Sequence, residues 1–393
     1  MTSKKKKYFD FYGPVFWPAS ILIALFIAVT LIIGKPMEEV FASTQNWIAN
    51  KFAWLLVLAV NVFLFFVLYL AFSRYGKIRL GGKEASPEFT RGEWFAMLFS
   101  AGMGIGILFW SVAEPIMHFD SPVTAQAHSV EAARKAMQTT FLHWGLHAWA
   151  IYALVALALA YFTFNKKLPL AIRSVFYPVL GNKINGPVAN TIEVFAVLAT
   201  LFGLATSLGL GVKQVNAGLA HLFNIQDNVY IQVVLIMVIT LFATASVVSG
   251  LDKGVKRLST INVYIAGIFL IFVLIVGPSL FILETFVQNI GTYLQNILAI
   301  GFNTEAYRQG NWQNSWTLFY WSWWISWSPF VGMFIARISK GRTVREFVAG
   351  VLVVPTLITF LWLSAFGGSA LFLELREIGG GITSAVTDNV ATA

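Results

Sequence analysis

The sequence predicts an all-α polytopic membrane protein, and three observations carry that prediction. Of the 393 residues, 58% are hydrophobic and only 11% charged, with a mean hydropathy of +0.72, far from the composition of a water-soluble domain. Nine apolar runs are long enough to cross a bilayer as helices. The lysines and arginines lie almost entirely between these runs.

The first run, 14–34, follows Lys4 to Lys7 and superficially resembles a signal peptide. It is too long for one and lacks a small-x-small cleavage site, so it is expected to span, with residues 1–13 in the cytoplasm. The second run, 54–72, completes a leading pair over 14–72. The others cover 93–116, 140–163, 190–220, 230–248, 260–285, 316–337 and 345–371. Between the seventh and eighth, "VQNIGTYLQNILAIGF" places Ile290, Leu294, Ile297, Leu298 and Ile300 at mostly helical spacing. It is too short and too polar to span, so 286–304 is expected to hold an interfacial helix on the outer surface. After the ninth run, 372–393 is expected outside.

Loop charge sets the orientation. With the N-terminus inside, the cytoplasmic segments collect most of the 27 cations, including five from Arg74 to Arg91 and four from Arg337 to Arg345. The outer segments hold only Lys35, Lys51, Arg134, Lys135, Arg308 and Arg376. The net charge of +9 is therefore a topology signal and gives no support to nucleic-acid binding. The absence of cysteine excludes disulfides and thiolate metal sites.

Two motifs stand out against the apolar background. In "AGMGIGILFWSVAEP", Gly102, Gly104 and Gly106 alternate in mid-span, where each glycine costs about 1 kcal/mol against alanine. Residues two apart lie on different helix faces, so this is no packing stripe. It suits an unwound stretch whose backbone lines a cavity, against the alternative of a closely packed helix. In "YWSWWISWSPF", Tyr320, Trp323, Trp324 and Trp327 share one broad face that runs deeper than an interfacial belt. Trp144, Trp149 and Tyr152 on the fourth span supply a facing set. Indole faces hold a quaternary ammonium, which cannot donate hydrogen bonds, by cation–π attraction of about 2 kcal/mol or more per desolvated contact. The plainer reading is aromatic helix packing.

Charges deep in the spans are nearly absent. Glu193 and Lys213 sit toward the ends of the fifth span, and Glu114 precedes Pro115 at the outer end of the third. A zwitterion, its carboxylate taken by backbone amides of a broken helix, fits better than a simple cation. His143 and His147 read as polar packing groups rather than metal or haem ligands. No nucleophile–base pair is legible, so no enzymatic activity is expected.

"AGMGIGILFWSVAEP" (101–115), "FLHWGLHAWAIYAL" (141–154), "TLFGLATSLGLG" (200–211) and "WTLFYWSWWISWSPFVGMFIARISKGRTVREF" (316–347) closely resemble the signature stretches of the betaine/carnitine/choline transporter family. The resemblance implies two leading helices followed by two inverted five-helix repeats, with the substrate between them at mid-membrane. Residues 93–285 would form the first repeat and 316–371 the first two helices of the second. About nine of twelve spans would be present, the chain being truncated at its C-terminus.

The resemblance also implies roles. Trp144, Trp149, Tyr152 and Trp324 map to an aromatic box, with Trp323, Trp327 and Phe330 along the path, and Gly102, Gly104 and Gly106 to the glycine stretch. Proton-coupled choline transporters of the family carry an acidic residue at the third glycine, here Gly106. Sodium-independent carnitine exchangers carry an arginine where this chain has Asn262. Both comparisons lean toward sodium-coupled uptake of glycine betaine, with no cofactor beyond the coupling ion. One sodium site would use Thr200 and Phe330. Its second threonine is replaced by Leu204, which cannot ligate a hard cation, with Thr206 or Ser207 as substitutes. Ser100 and Met103 match the third-span half of the other sodium site. A homotrimer in a bacterial inner membrane is the implied assembly. Proton-coupled choline uptake, sodium-independent exchange and a non-transporting ligand-binding subunit are the alternatives.

Overall fold

The computed structural model describes residues 11–102, 104–249, 256–307, 310–377 and 381–388. Helix α1 (Gly13–Ile33) stops at Gly34, whose φ of +67° takes the backbone into the left-handed region. Pro36, with φ already fixed for a helix, starts α2 (Pro36–Phe72), which begins well before the apolar run at 54. The third span comes in two pieces, α3 (Arg91–Gly102) and α4 (Ile105–Asp120), bent by 61° across the glycine stretch.

The fourth span is present as one membrane-crossing stretch over Val130–Asn165 but is interrupted within. It is not one helix over 140–163 but α5 (Val130–Trp144) and α6 (Leu146–Ala160), broken at Gly145 and extended by a π-helical turn at Tyr161–Asn165. Gly145 has ψ of −141°, outside the helical region, and a Cβ there would overlap the Phe141 carbonyl and the Phe360 ring. Helices α7 (Pro187–Phe223), α8 (Val229–Val248) and α9 (Lys256–Val276) follow. The seventh span ends at Val276, short of 285, because Pro278 has no N–H with which to continue the ladder. Helix α10 (Ser279–Gly301) therefore starts earlier than the expected interfacial helix and buries Ile282, Asn289, Tyr293 and Gly301. Helices α11 (Thr317–Ile338) and α12 (Val344–Leu375) match the eighth and ninth spans, and α13 (Ile382–Asp388) is a short helix in the C-terminal segment.

Among the described residues seven stretches are long and apolar enough to cross a membrane, with α5, α6 and the π-helical turn counted as one over Val130–Asn165, and α3 with α4 passes as an eighth when the bent pair counts as one span. The protein is an integral membrane protein. Helix α11 has 22 residues, but its tryptophans and serines lower its hydropathy and it is not among them. It is instead an inner helix, packed against α6 and α7, while α12 packs against α4, α5 and α6. Glycines set these close approaches. A Cβ at Gly332 would overlap Val155, one at Gly350 would overlap Trp94, and one at Gly367 would overlap Pro115. At the periphery, α1 buries only Val15 and Ala19 and α8 buries nothing, as suits helices that are apolar on all sides.

At the end of the bundle expected to face the cytoplasm, the segment after α2 is strapped to the α11–α12 turn. Leu80 N–H donates to Arg342 O (2.9 Å), Gly341 N–H to Leu80 O (2.8 Å) and Val344 N–H to Ile78 O (2.8 Å). The turn needs Gly341, which has φ of +82° and no room for a Cβ beside Ser86 and Pro87. Asn165 Nδ2 donates to Arg79 O and Asn165 Oδ1 accepts from Gly81 N–H, both at 2.9 Å, tying in the end of the fourth span. Glu88 closes the strap with Arg337 (2.6 Å) and Lys340 (3.2 Å).

The hydrogen bond from Arg337, helped by Lys340 and opposed by partial burial, holds the Glu88 carboxyl below its ordinary value of 4.5. A lowered carboxyl contributes stability above its unfolded-state value and loses it as pH falls through the folded one. Glu88→Gln should therefore remove a small, salt-sensitive stability component at pH 6, at most about 1 kcal/mol for such an exposed pair. The difference from the parent should shrink to nothing as pH drops below 4, as read by thermal unfolding in detergent.

Candidate aromatic binding site

The Gly145 break, the α3–α4 break and the aromatic face of α11 meet around one cavity of about 220 Å³. Trp144 enters from the end of α5, Trp149 and Tyr152 from α6, and Trp323, Trp324 and Trp327 from α11. Gly104 and Gly106 line it from the broken span, Leu204, Ser207 and Leu208 from α7, and Thr359 from α12. The two aromatic sets proposed from sequence thus face each other in the interior. Trp144, Trp149, Tyr152, Trp323 and Trp324 are each at most 7% exposed, so none of them points at lipid.

The rings form a cornered box. Trp323 and Trp324 stack nearly parallel, 4.8 Å apart at 14°. Trp144 stands edge-on to Trp324 at 5.0 Å and 70°, and Tyr152 likewise at 6.2 Å and 71°. Trp149 meets Tyr152 at 5.7 Å and 77°. Three indole N–H groups are engaged by the protein. Trp144 donates to Glu114 Oε2 (2.8 Å), Trp323 to Ser207 Oγ (3.1 Å) and Trp324 to the His143 carbonyl (2.9 Å). With the N–H edges held in this way, ring surface dominates the lining, and ring surface attracts a cation that has no hydrogen to donate.

Each glycine of the stretch has a separate position. Gly106 is buried, and a Cβ on it would come within 2.7 Å of Trp323 and 3.4 Å of Trp144, so only glycine lets the two indoles close over α4. Gly104 is exposed and extended at the N-terminus of α4, where unpaired helix amides collect positive potential. Gly102 ends α3.

The residues carried over as ion ligands fall in two separate places. Met103 lies outside the described residues. Ser100 is half-buried on α3 away from the cavity lining. The Thr200 hydroxyl donates to Ala196 O (2.8 Å), and Phe330 is 51% exposed with its ring against Trp327. Of the two substitutes, Thr206 bonds Phe202 O on the exposed face, whereas Ser207 reaches the cavity.

Glu114 is the residue whose place the sequence did not reveal. Expected merely at the outer end of the third span, it is fully buried and joins three helices. Its Oε1 lies 2.6 Å from His143 Nδ1 and 3.4 Å from His118 Nε2, and its Oε2 accepts from Trp144 and from Tyr320 OH (2.5 Å). Glu114, His118 and His143 could be drawn as a metal trio. The 2.6 Å separation is that of a charge-assisted hydrogen bond, whereas two ligands bound to one zinc at about 2.0–2.1 Å would stand roughly 3.3 Å apart. The signal was available: a carboxylate inside a span, with histidine four residues on, is rare enough to mark a functional position. His147 behaves as expected, bonded to Asn61 Oδ1 (3.1 Å) and stacked on Trp321.

Comparison with known proteins agrees with the geometry. The model of the betaine/carnitine/choline family transporters matches residues 14–393. A glycine betaine transporter of Acinetobacter baylyi is 45% identical over 96% of this chain and 57% of its own length. Glycine betaine transporter OpuD of Bacillus subtilis is 48% identical over 92% of this chain and 71% of its own length. The osmo-dependent choline transporter BetT2 of Acinetobacter baylyi is 44% identical over 91% of this chain and 52% of its own length. The chain thus spans about half to three-quarters of the relatives it matches.

Glu114→Ala should leave the Trp144 and Tyr320 donors unpaired in the interior and lower stability by about 3–5 kcal/mol, the range for breaking a buried charged network. Glu114→Gln, which keeps an acceptor, should cost clearly less. Thermal unfolding of the purified variants in detergent checks the order.

Proposed function

Because the chain belongs to the betaine/carnitine/choline family of transporters, we propose that it forms the substrate-binding part of a secondary transporter that imports a quaternary-ammonium zwitterion, glycine betaine foremost, together with sodium by alternating access. The observation that carries this is the buried box of Trp144, Trp149, Tyr152 and Trp324, walled by Trp323 and Trp327. A trimethylammonium group fits such a box because its charge is spread over methyl groups that rings can surround. The carboxylate turns toward Gly104 and the first amides of α4.

Sodium coupling is favoured by the glycine at position 106, where an acidic side chain would serve proton coupling and where the indoles leave no space for one. Ser100 and Met103 supply part of one sodium site. The second site, with Thr200 and Phe330, is the weaker one because Leu204 replaces a hydroxyl. Choline is the second substrate to test, since one of the relatives is a choline transporter and the box reads the headgroup common to both compounds. The N-terminus faces the cytoplasm of a bacterial inner membrane, and the assembly is a homotrimer.

The test uses the whole protein reconstituted in vesicles. Radiolabelled glycine betaine should accumulate only under an inward sodium gradient, and Trp324→Leu should weaken binding by about tenfold or more, the loss of one desolvated cation–π contact of about 2 kcal/mol. Uptake indifferent to sodium defeats the coupling, and unchanged affinity in the variant defeats the box.

A further inference from the structure

Helix α12 touches the cavity through one residue, Thr359. Its neighbour Phe360 stacks on Phe141 of α5 at 3.9 Å and 12°, which fixes the rotation of α12 about its axis. Thr359 is 4% exposed, and among the described residues its hydroxyl has no hydrogen-bond partner. Thr356, one turn earlier on α12, shares this lack of a partner but is not among the lining residues. Threonines inside helices normally return the hydroxyl proton to the carbonyl four residues back. Thr140, Thr200, Thr285 and Thr292 all do so here, at 2.6–3.0 Å. Thr359 would have to use Pro355 O and does not. A hydroxyl without a protein partner at a cavity wall is available to a ligand that enters the cavity.

Among the described non-aromatic residues of the lining, only Ser207 and Thr359 carry a hydroxyl. Ser207 Oγ already accepts from Trp323, and Tyr152 contributes its ring to the box. We propose that Thr359 is a specificity-determining residue that donates its hydroxyl hydrogen to the carboxylate of the substrate. This rests on the cavity being a quaternary-ammonium site and adds to it the selection of carboxylate-bearing ligands. The rings hold the cationic end and are indifferent to what is attached to it. Thr359, with the amides at the start of α4, reads the anionic end. A site built to hydrogen-bond a polar group discriminates strongly against ligands that lack it.

The probes are glycine betaine and tetramethylammonium, which carries the headgroup alone, titrated against the tryptophan fluorescence of the whole protein in detergent at saturating sodium. Thr359→Val keeps the side-chain shape and removes the hydroxyl. It should weaken glycine betaine at least tenfold, the effect of one charge-assisted hydrogen bond, and leave tetramethylammonium within twofold. Thr359→Ser should restore betaine affinity. Equal losses for both probes would mean a packing role, and no loss for betaine would mean no contact; either overturns the proposal while the box stands. A betaine defect that disappears as sodium is raised would make the hydroxyl an ion ligand and also overturns it. A parent protein that binds neither probe removes the box, and the proposal with it.

Discussion

Inside a bilayer every polar hydrogen must find its acceptor within the protein, and the arrangement of the aromatic site follows from that constraint. An indole has one N–H and two faces. Where the N–H is held by Glu114, by Ser207 or by the His143 carbonyl, the orientation of the ring is fixed and its faces are what remain for the cavity. The acceptors are as much part of the site as the rings. The break at Gly145 belongs to the same scheme, because it releases backbone groups from the helix ladder beside the cavity. Trp324 takes the His143 carbonyl, and the Leu146 N–H goes to the buried hydroxyl of Tyr293 on α10 (3.2 Å). Helix α11 and the amphipathic helix α10 are thereby pinned to one interrupted span.

Glycine supplies the complementary half of the constraint, which is space. Large rings close over a cavity only if something behind them is small. Gly106 lets Trp323 and Trp144 meet over α4, and Gly203 does the same for Trp327 on α7. Gly332, Gly350 and Gly367 then bring the supporting helices close enough for the rings to be held from behind. The site is rigid on the α5–α6–α11 side, where rings and hydrogen bonds interlock. On the α3–α4 side it rests on a bent junction whose backbone is exposed at Gly104. An element that has to move during a transport cycle is more easily drawn from the second side than from the first.

Much of this was legible in the sequence because membrane helices are long and the periodicity of an aromatic face is explicit. Most of the spans and the two aromatic sets, Trp144, Trp149 and Tyr152 on one helix pair and Trp323, Trp324 and Trp327 on another helix, were read from run length and spacing, and the structure adds that they line one cavity. What escaped depends on partners distant in the chain. Nothing in "HWGLHAW" marks Gly145 as a break, since a lone glycine is tolerated in a helix, and the Phe360 ring that excludes a side chain there lies on α12. Periodicity placed Glu114 on the third span but not among His143, Trp144 and Tyr320, which come from two other helices. Hydropathy ran the seventh span through Pro278, since an apolar average is insensitive to a missing N–H. Thr200 and Phe330, carried over by resemblance alone, are not among the described residues that line the cavity.

The position of Glu114 also bears on the proposed preference for a zwitterion over a simple cation. A carboxylate lining the cavity would attract a trimethylammonium group but repel the carboxylate attached to it, at a range where interior charges interact strongly. Behind Trp144, its oxygens are taken by indole, phenol and imidazole groups and none is offered to the cavity. Among the described lining residues there is no acidic side chain at all. The negative character that a cation meets is then spread over ring faces, which a carboxylate can avoid by lying toward the amide end of α4. Removing fixed anions from the lining while keeping one to brace it from behind separates the two ends of the ligand by chemistry as well as by distance.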